Sequence, residues 1–465
     1  MKPIVLKDKD SSTEPIYIQL YRGIREEILG GSLQPGEKLP SLRALARSLE
    51  VSVTTSELAY HQLLTEGYIV SRAKSGYYVA DLSSLPLESR PTAHHDFDLS
   101  RHVLGESTYR WDLASFDFFK WKKCMSRVLT DYPQLLLWES DSQGEEALRY
   151  EISRYVYSAR GVVCRPEQVV IGAGTQQLTS HLCRILRRMQ IDYICTEEPG
   201  YLPIQNIFRD LGFAVARVPV AGDGICIDRL PVNVPSAVYV SPSNQFPTGS
   251  IMPIGQRYRL LEWAKENGSY ILEDDYDSEL RYFGKPIPAL QGLDQGGRVV
   301  YLGSFSSTLF PAIKISYMIL PESMRQVFDQ IKGDYTQTCS KTEQLTLALF
   351  MEEGLYQSNI RKLRNRNAQK LQLTMSAMET YGKGWVTPTN THSGLSLLLA
   401  VTTGRTAEAL CEAARCQGLR VVPVEGMQGK GQVALSFYYN QIPVEDIDGC
   451  VKSLLDSWKK SSDGR

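Results

Sequence analysis

The sequence predicts a multidomain protein. A winged helix-turn-helix domain comes first, and a larger α/β domain with a small C-terminal α+β unit follows. Residues 1–80 carry three helical patterns followed by two β-type runs. From about residue 108, apolar β runs alternate with helical patterns, which is typical of a mostly parallel sheet. Since 465 residues suffice for more than one hydrophobic core, we assign domains to 1–80 and 108–465, joined by a linker at 81–107.

The helices of the first domain are marked by apolar spacing and by capping residues. The stretch 16–29 places its apolar residues on one helix face. Ser41 is suited to cap a second helix, and a third helix is predicted over 54–67. The β-type runs 68–70 and 77–79 flank a tip of basic and small residues. Three helices and a hairpin in this order make a winged helix-turn-helix.

The strands of the second domain are predicted from short apolar runs. In the α/β part these runs are 168–171, 192–196, 237–241, 270–273, 299–302 and 315–319. In the C-terminal unit they are 395–401, 419–424 and 432–437. Because helical patterns separate the runs of the α/β part, we expect most of its strands to be parallel.

Charge and cysteine content exclude several classes of protein. The net charge is −1, so any nucleic-acid surface must be local. The nine cysteines are scattered without a Cys-x-x-Cys pattern, which favours a reducing cytoplasm over a disulfide framework or a zinc site. The amino terminus lacks the apolar core of a signal peptide, and no apolar run approaches the roughly 20 residues of a membrane span. We therefore expect a cytoplasmic protein without a metal or a membrane partner.

The start of the third helix and the preceding elements are typical of DNA recognition. Small hydroxyl side chains at a recognition-helix start can hydrogen-bond bases and phosphates while the backbone comes close. Basic residues on the second helix and on the wing can reach phosphate. The predicted DNA-binding residues are Ser41, Arg43, Arg47, Ser52, Thr54, Thr55, Arg72, Lys74, Ser75 and Gly76. Ordinary solvated charges are the alternative, but the order of the elements favours DNA binding.

Four loops of the second domain carry polar and glycine residues where predicted strands end. The loop 172–177 opens a helix, so its free N–H groups and the helix dipole can cradle a phosphate. The segment 241–249 is a second loop at a strand end, and 301–311 follows later in the chain. In 271–277, an acidic residue at the end of a buried strand can pair with a protonated pyridine nitrogen. An acidic cluster alone would also fit a metal site or a solvated turn, but the order of the four loops favours a cofactor pocket.

Both domains resemble known families. Segments similar to the GntR-type winged helix are 15–21, 31–43, 66–68 and 75–77. The four loops, together with 197–201 and 288–294, resemble a fold-type I aminotransferase domain, which binds pyridoxal phosphate (PLP). Joined in this order, the two domains resemble the MocR/GabR family of bacterial transcription regulators.

The resemblance implies a PLP pocket, and a head-to-tail homodimer with pockets between the subunits. The residues that would hold the phosphate are Gly174, Thr175, Gln176, Ser304 and Ser306. Tyr201 would lie against the cofactor ring, and Asp274 would meet the pyridine nitrogen. Asn244 and Tyr276 would approach the ring hydroxyl.

The chain departs from the family pattern at several of these positions. Where the family has the lysine that forms a Schiff base with PLP, this chain has Ser307, and no lysine lies between 286 and 313. Lys314 stands in place of a phosphate-binding arginine and would bind as a point charge rather than as a bidentate fork. Glu139 and the arginine-free loop 421–427 differ as well.

A further departure lies in the first domain. The recognition helix of the family normally begins Ser-Arg-x-Thr, whereas this chain has valine, Val53, after Ser52. One contact to phosphate or base is therefore absent, and we expect weaker binding or a different operator.

Transamination uses the lysine twice, to form the imine and to shuttle a proton, and a serine does neither at neutral pH. The sequence therefore predicts a transcription regulator rather than an enzyme, with double-stranded DNA as its partner. Its aminotransferase-like domain would dimerise and sense a small molecule, with PLP or a PLP–amino acid adduct bound noncovalently at most. One alternative is a regulator that senses another ligand or none, and a second is an aminotransferase that uses Lys314.

Overall fold

The structure is a computed structural model that describes residues 15–81, 112–222, 224–282, 287–389, 391, 394–424 and 431–459. The chain divides into two compact units between His102 and Val103. Apart from Asp81, the predicted linker at 81–107 lies outside the described residues.

The first unit is a winged helix-turn-helix. Its helices are α1 (Ile16–Leu29), α2 (Leu42–Ser48) and α3 (Val53–Thr65), and its wing strands are β1 (Ile69–Arg72) and β2 (Gly76–Val79). The two strands are antiparallel, with Ile69 opposite Val79. Leu20 and Ile24 of α1 and Leu63 of α3 are fully buried in its core, as the apolar spacing predicts.

The large unit contains an eight-stranded sheet of order β3-β10-β9-β8-β7-β4-β5-β6. Its strands are β3 (Val169–Gly172), β4 (Tyr193–Glu198), β5 (Ala214–Ala221), β6 (Gly224–Ile225), β7 (Ala237–Val240), β8 (Tyr270–Asp274), β9 (Val299–Ser304) and β10 (Ser316–Ile319). Strands β5, β4, β7, β8 and β9 are parallel, whereas β10 is antiparallel to β3 and β9. The predicted α/β architecture is thus confirmed.

Helices cover both faces of this sheet. They are α4 (Phe118–Asp131), α5 (Glu146–Arg160), α6 (Thr175–Arg188), α7 (Leu202–Asp210), α8 (Ile254–Glu266), α9 (Glu322–Ile331), α10 (Lys341–Glu352) and α11 (Leu355–Gly382). Alternate residues of a strand point to opposite faces. Accordingly, Val169 and Ile171 belong to one hydrophobic cluster and Val170 belongs to another. Burial on both faces explains why these strands read as continuous apolar runs.

The C-terminal α+β unit contains a four-stranded antiparallel sheet of order β11-β12-β14-β13. Its elements are β11 (Val386–Thr389), β12 (Leu397–Thr402), α12 (Ala407–Arg415), β13 (Val421–Pro423), β14 (Gln432–Phe437) and α13 (Ile447–Lys459). Leu371 and Met378 of α11 join its core, so the long helix α11 connects the two parts of the second unit. Among the described helices, none combines the length and the apolar character that a membrane span requires.

Candidate functional site

The loops that carry the predicted cofactor residues meet at one edge of the large sheet. Strands β4, β7, β8 and β9 are parallel neighbours, so their carboxyl ends lie side by side. Asp274 is the last residue of β8 and Ser304 is the last residue of β9. In open α/β sheets the carboxyl edge is where ligands bind. The sheet topology therefore brings Asp274, Ser304 and the loop 241–249 to a common edge.

Asp274 lies at the centre of this edge. The hydroxyl of Tyr239 donates a hydrogen bond to its carboxylate. Burial raises the pKa of Asp274 to about 7, against the opposing effect of that hydrogen bond. A cation beside Asp274, such as a protonated pyridine ring, would favour the charged carboxylate. The site thus offers an acidic group in the place where the sequence predicts a partner for the ring nitrogen.

Three aromatic rings border the same space. The rings of Tyr201 and Phe246 meet edge to face with centroids 6.2 Å apart, and those of Phe246 and Tyr276 meet in the same way at 6.2 Å. Asn244 is buried two residues before Phe246. Burial raises the pKa of Tyr201, and the nearby Asp274 carboxylate raises it further. Tyr201, Asn244, Asp274 and Tyr276 therefore lie in one region of the structure.

The phosphate end of the pocket is defined as Gly174, Thr175, Gln176, Ser304 and Ser306. Its two segments lie at the carboxyl ends of strands β3 and β9, which lie on either side of strand β10. Ser316 of β10 is opposite both Gly172 and Ser304, and its hydroxyl is 2.9 Å from the Ser304 hydroxyl. The amide of Ser306 donates to the same Ser304 oxygen at 3.3 Å. Helix α6 begins at Thr175, so the first N–H groups of α6 have no partner within the helix.

The backbone at the phosphate end allows a ligand to come close to its N–H groups. Gly174 has a φ of +92°, which side chains rarely adopt, and it caps α6. The amide of Ala173 is already used, because it donates to Thr338 Oγ1 at 3.1 Å and to Gln177 Oε1 at 3.2 Å. Lys314 is exposed two residues before Ser316. The donors therefore suit a phosphate.

The Ser307 end of the pocket is defined as Ser307 and Asp277. Unlike the phosphate end, it contains an acidic side chain. A hydrogen bond joins the Ser307 hydroxyl to the Asp277 carboxylate. Burial raises the pKa of Asp277 to about 6, and the bond from Ser307 opposes that rise. The Ser307 hydroxyl is therefore engaged with an acidic group.

A buried ion pair supports the pocket and was missed by sequence reasoning. Arg160 donates to both oxygens of Asp275, at 2.7 and 2.9 Å, and to Ser243 Oγ at 2.7 Å. The pair holds the residue after Asp274 and the residue before Asn244. The only signal in the sequence was an arginine in the last turn of a helix, where a cation usually serves the helix dipole.

Glu197, which lies in the segment 197–201, is buried, and sequence reasoning did not predict its role. It accepts from the Ser241 amide at 3.3 Å and from Gln245 Nε2 at 3.4 Å. Burial raises its pKa to about 8, despite those two bonds. Gln245 also donates to the Pro199 carbonyl at 2.8 Å. This network joins the loop at the end of β4 to the loop after β7.

Two further departures from the family pattern are Glu139 and the loop 421–427. Glu139 is exposed, and its carbonyl accepts from Lys341 Nζ at 3.1 Å. In the loop 421–427, residues 425–427 lie outside the described residues. In the described part of the chain, no group of three or more His, Cys, Asp or Glu side chains is arranged to hold a metal ion.

In the winged helix, several predicted contact residues serve as helix caps. Ser41 accepts from the Ala44 amide at 3.2 Å and caps α2. Ser52 accepts from the Thr55 amide at 3.0 Å, and its hydroxyl is 2.8 Å from that of Thr55. These bonds explain why α3 begins at Val53, one residue before the predicted start. The exposed residues Arg43, Arg47 and Thr54 lie on the same two helices.

The wing presents its basic residues on a defined turn. Lys74 and Gly76 have φ values of +61° and +110°, so the tip turns through left-handed backbone. The guanidinium of Arg72 lies 4.4 Å from the centre of the Tyr78 ring, and Ser75 shares a hydrogen bond with the Tyr78 hydroxyl. The arginine is thus held on the wing surface by a cation–π contact.

Comparisons with known proteins match both units. Residues 16–79 match the family described as bacterial regulatory proteins, gntR family, and residues 133–435 match aminotransferase class I and II. The HTH-type transcriptional regulator YdeL of Bacillus subtilis (strain 168) is 38% identical over 452 residues, which are 96% of this chain and 97% of the relative.

One further relative and one solved structure extend the comparison. The probable rhizopine catabolism regulatory protein MocR of Rhizobium meliloti is 31% identical over 442 residues, covering 90% of this chain and 88% of the relative. The crystal structure of a multiple substrate aminotransferase from Thermococcus profundus aligns with a TM-score of 0.65 at 23% identity. That alignment covers 80% of this chain and 97% of the other and shows a common fold.

Proposed function

Because the chain belongs to the MocR-type regulators, in which a gntR-family winged helix precedes an aminotransferase class I and II domain, we propose that it couples DNA binding to a small molecule. The observation that supports a sensing role is the hydrogen bond between Ser307 and Asp277, in a pocket whose other residues suit a ligand. The pocket is equipped to bind a ligand and not to transform it.

PLP bound without a covalent link is the cofactor that we propose for this pocket. Asp274 would pair with the ring nitrogen, and Tyr201 would lie against the ring. The first turn of α6 and the Ser304 hydroxyl would hold the phosphate. When bound, PLP acts as an electron sink for an attached amine. The residues fit the ring and the phosphate, whereas Ser307 does not fit covalent attachment.

The residues near the ring argue against aminotransferase activity. A proton shuttle needs a base with access to the reacting carbon. The Ser307 hydroxyl is a poor base and is hydrogen-bonded to the Asp277 carboxylate. Lys314 is exposed and precedes strand β10, beside the phosphate end. We therefore propose that the aminotransferase-like domain is not an enzyme.

We propose a homodimer, as the family resemblance implies. Helix α4 and the turn after it expose three large apolar side chains: Phe119 at 78%, Leu137 at 86% and Trp138 at 75%. Exposed apolar groups of this size often mark a protein interface. Sedimentation of the full chain should give a dimer, and Leu137→Asp should shift it toward the monomer. A wild-type monomer at micromolar concentration would contradict the proposal.

Operator binding is tested by an electrophoretic shift assay on the DNA upstream of the chain's own gene. We expect binding that weakens as salt rises, since phosphate contacts release counterions. Replacing both Arg43 and Arg47 by alanine should weaken binding and reduce the salt dependence. Arg209→Ala, an exposed arginine of the large unit, is the matched control. If no upstream segment binds at low salt, the DNA-binding proposal fails.

A further inference from the structure

The outward face of helix α3 in the winged helix carries two large apolar side chains. Val53, the first residue of α3, is 45% exposed, and Leu58 is 48% exposed. Neither belongs to the hydrophobic cluster that forms the described core of the first unit. The opposite face of α3 is buried through Ala59, Tyr60 and Leu63. Within the first unit, the face that carries Val53 is therefore open to another molecule.

Helix α3 lacks the side chains that most often read guanine. Its 13 residues, all of which the structure describes, include no lysine, arginine or asparagine. Guanine is read chiefly by arginine or lysine, and adenine by asparagine or glutamine. The one glutamine of α3, Gln62, lies in the last turn, and its side chain donates to Glu66 at 2.6 Å. The first two turns can therefore contact bases only through hydroxyl, carboxylate, imidazole and apolar groups.

The hydroxyl groups on either side of Val53 are already used by the protein. Ser52 accepts from the Thr55 amide at 3.0 Å, and its hydroxyl oxygen is 2.8 Å from that of Thr55. These bonds fix the start of the helix and, with it, the direction of the Val53 side chain. A valine in a helix has one strongly preferred χ1 rotamer, so it loses little conformational freedom when it binds. Val53 is thus a rigid apolar contact.

Neither helix stability nor burial accounts for a valine at position 53. Valine has a lower helix propensity than arginine, lysine or alanine, and nearly half of the Val53 side chain is exposed. Under the proposed DNA-binding function, the basic side chains Arg43, Arg47, Arg72 and Lys74 contact phosphates. Phosphate contacts fix the register of a protein on DNA but carry no sequence information. Base selection therefore falls to the outward side chains of α3.

We propose that Val53 contacts the C5-methyl group of a thymine in the major groove and makes thymine the preferred base at that operator position. Of the four bases, only thymine presents a methyl group in the major groove, and apolar side chains are suited to contact it. The inference rests on the proposed DNA-binding function and goes beyond it, because it names a base and the side chain that selects it.

Selection of duplexes from a random-sequence library, with the full-length protein at low salt, provides the operator for the test. Deoxyuridine then replaces each thymidine of a selected duplex in turn, which removes one methyl group and nothing else. At one position, the wild type should bind the deoxyuridine duplex about fourfold more weakly, the change expected when one buried methyl-sized group is lost. Val53→Ser should bind both duplexes equally. Val163→Ser, at an exposed valine of the large unit, should behave like the wild type.

Two results would overturn the inference about Val53. One is equal affinity of the wild type for the thymidine and deoxyuridine duplexes at every position, and the other is an undiminished deoxyuridine effect in Val53→Ser. The first measurement uses the wild-type protein alone, so it decides the matter even if Val53→Ser does not fold. Failure to select any duplex at low salt would overturn the DNA-binding function itself, whereas tight binding without a methyl effect would overturn only the role of Val53.

Discussion

At the phosphate end of the pocket, the first N–H groups of α6 and the Ser304 hydroxyl are placed where they can bind a ligand. At the Ser307 end, by contrast, the serine hydroxyl is hydrogen-bonded to the Asp277 carboxylate. Both ends sit at the carboxyl edge of the same sheet, and both are held by short loops. Under the proposed function, the phosphate end would recognise a ligand while the Ser307 end would form no covalent bond to it. Substitutions at each end and at Asp274, and a change of pH, should separate these two roles, from the largest expected effect to the smallest.

Ser307→Lys should convert the Ser307 end into a covalent site. An amine beside Asp277 and near the ring would form an imine with PLP. We expect a visible absorbance band and a PLP-tagged peptide at position 307 after borohydride reduction. Ser323→Lys, at an exposed serine of α9, is the control and should give neither. A colourless Ser307→Lys protein with bound PLP would show that the ring does not lie near this loop.

Asp274→Asn should weaken noncovalent PLP binding, because it removes the partner of the ring nitrogen. Loss of one member of a buried charge pair costs about 2–3 kcal/mol, which corresponds to roughly 30- to 150-fold in Kd. Equilibrium dialysis measures the change. Asp228→Asn, at an exposed aspartate, should leave the Kd unchanged. An unaltered Kd in Asp274→Asn would place the ring elsewhere.

The ligand-free protein should lose stability as pH rises from 5 to 8. Burial raises the pKa of Asp277 to about 6, of Asp274 to about 7 and of Glu197 to about 8. The folded state therefore keeps protons that the unfolded chain releases above about pH 4–5, so stability is full below that range and falls through pH 6–8. We expect a loss on the order of 1 kcal/mol or more, measured by urea unfolding.

The same experiment sharpens the comparison of the two ends. In Ser307→Lys, the ammonium beside Asp277 should lower the pKa of that carboxyl and reduce the pH-dependent loss. Ser304→Ala, at the phosphate end, should leave the pH dependence as it is. Stability that rises between pH 5 and 8 in the ligand-free wild type would contradict the burial of these acids.

Ser304→Ala should give the smallest effect. Loss of one hydrogen bond costs about 1 kcal/mol, or about fivefold in the Kd of PLP. Pyridoxal lacks the phosphate, so Ser304→Ala and the wild type should bind pyridoxal with the same affinity. A matched loss for both compounds would mean that Ser304 does not contact phosphate.

Sequence patterns predict most of the fold because the central strands are buried on both faces. β7 and β8 lie within one residue of their predicted bounds. The predictions missed β5, whose small and partly exposed residues give no continuous apolar run, and the two-residue strand β6. β11 was missed for a similar reason, since Val386 is its only buried residue.

In the candidate site too, local sequence patterns predict some features, whereas contacts between distant residues are not predictable. Loops at strand ends are predictable from glycine and polar patterns, and the structure brings Tyr201, Asn244, Asp274 and Tyr276 together. The roles of these residues toward PLP remain predictions. The Arg160–Asp275 pair joins residues 115 positions apart, and the Glu197–Gln245 contact joins residues 48 positions apart. Neither leaves a local signal in the sequence.

Borohydride reduction of the wild-type protein with PLP, followed by peptide mapping, tests the central claim most directly. We predict that PLP binds reversibly, that it is removed by gel filtration after reduction, and that no peptide carries it. Under the same conditions Ser307→Lys should carry one PLP at position 307. A stoichiometric adduct on one lysine of the wild type, such as Lys314, would contradict the account and favour an enzyme.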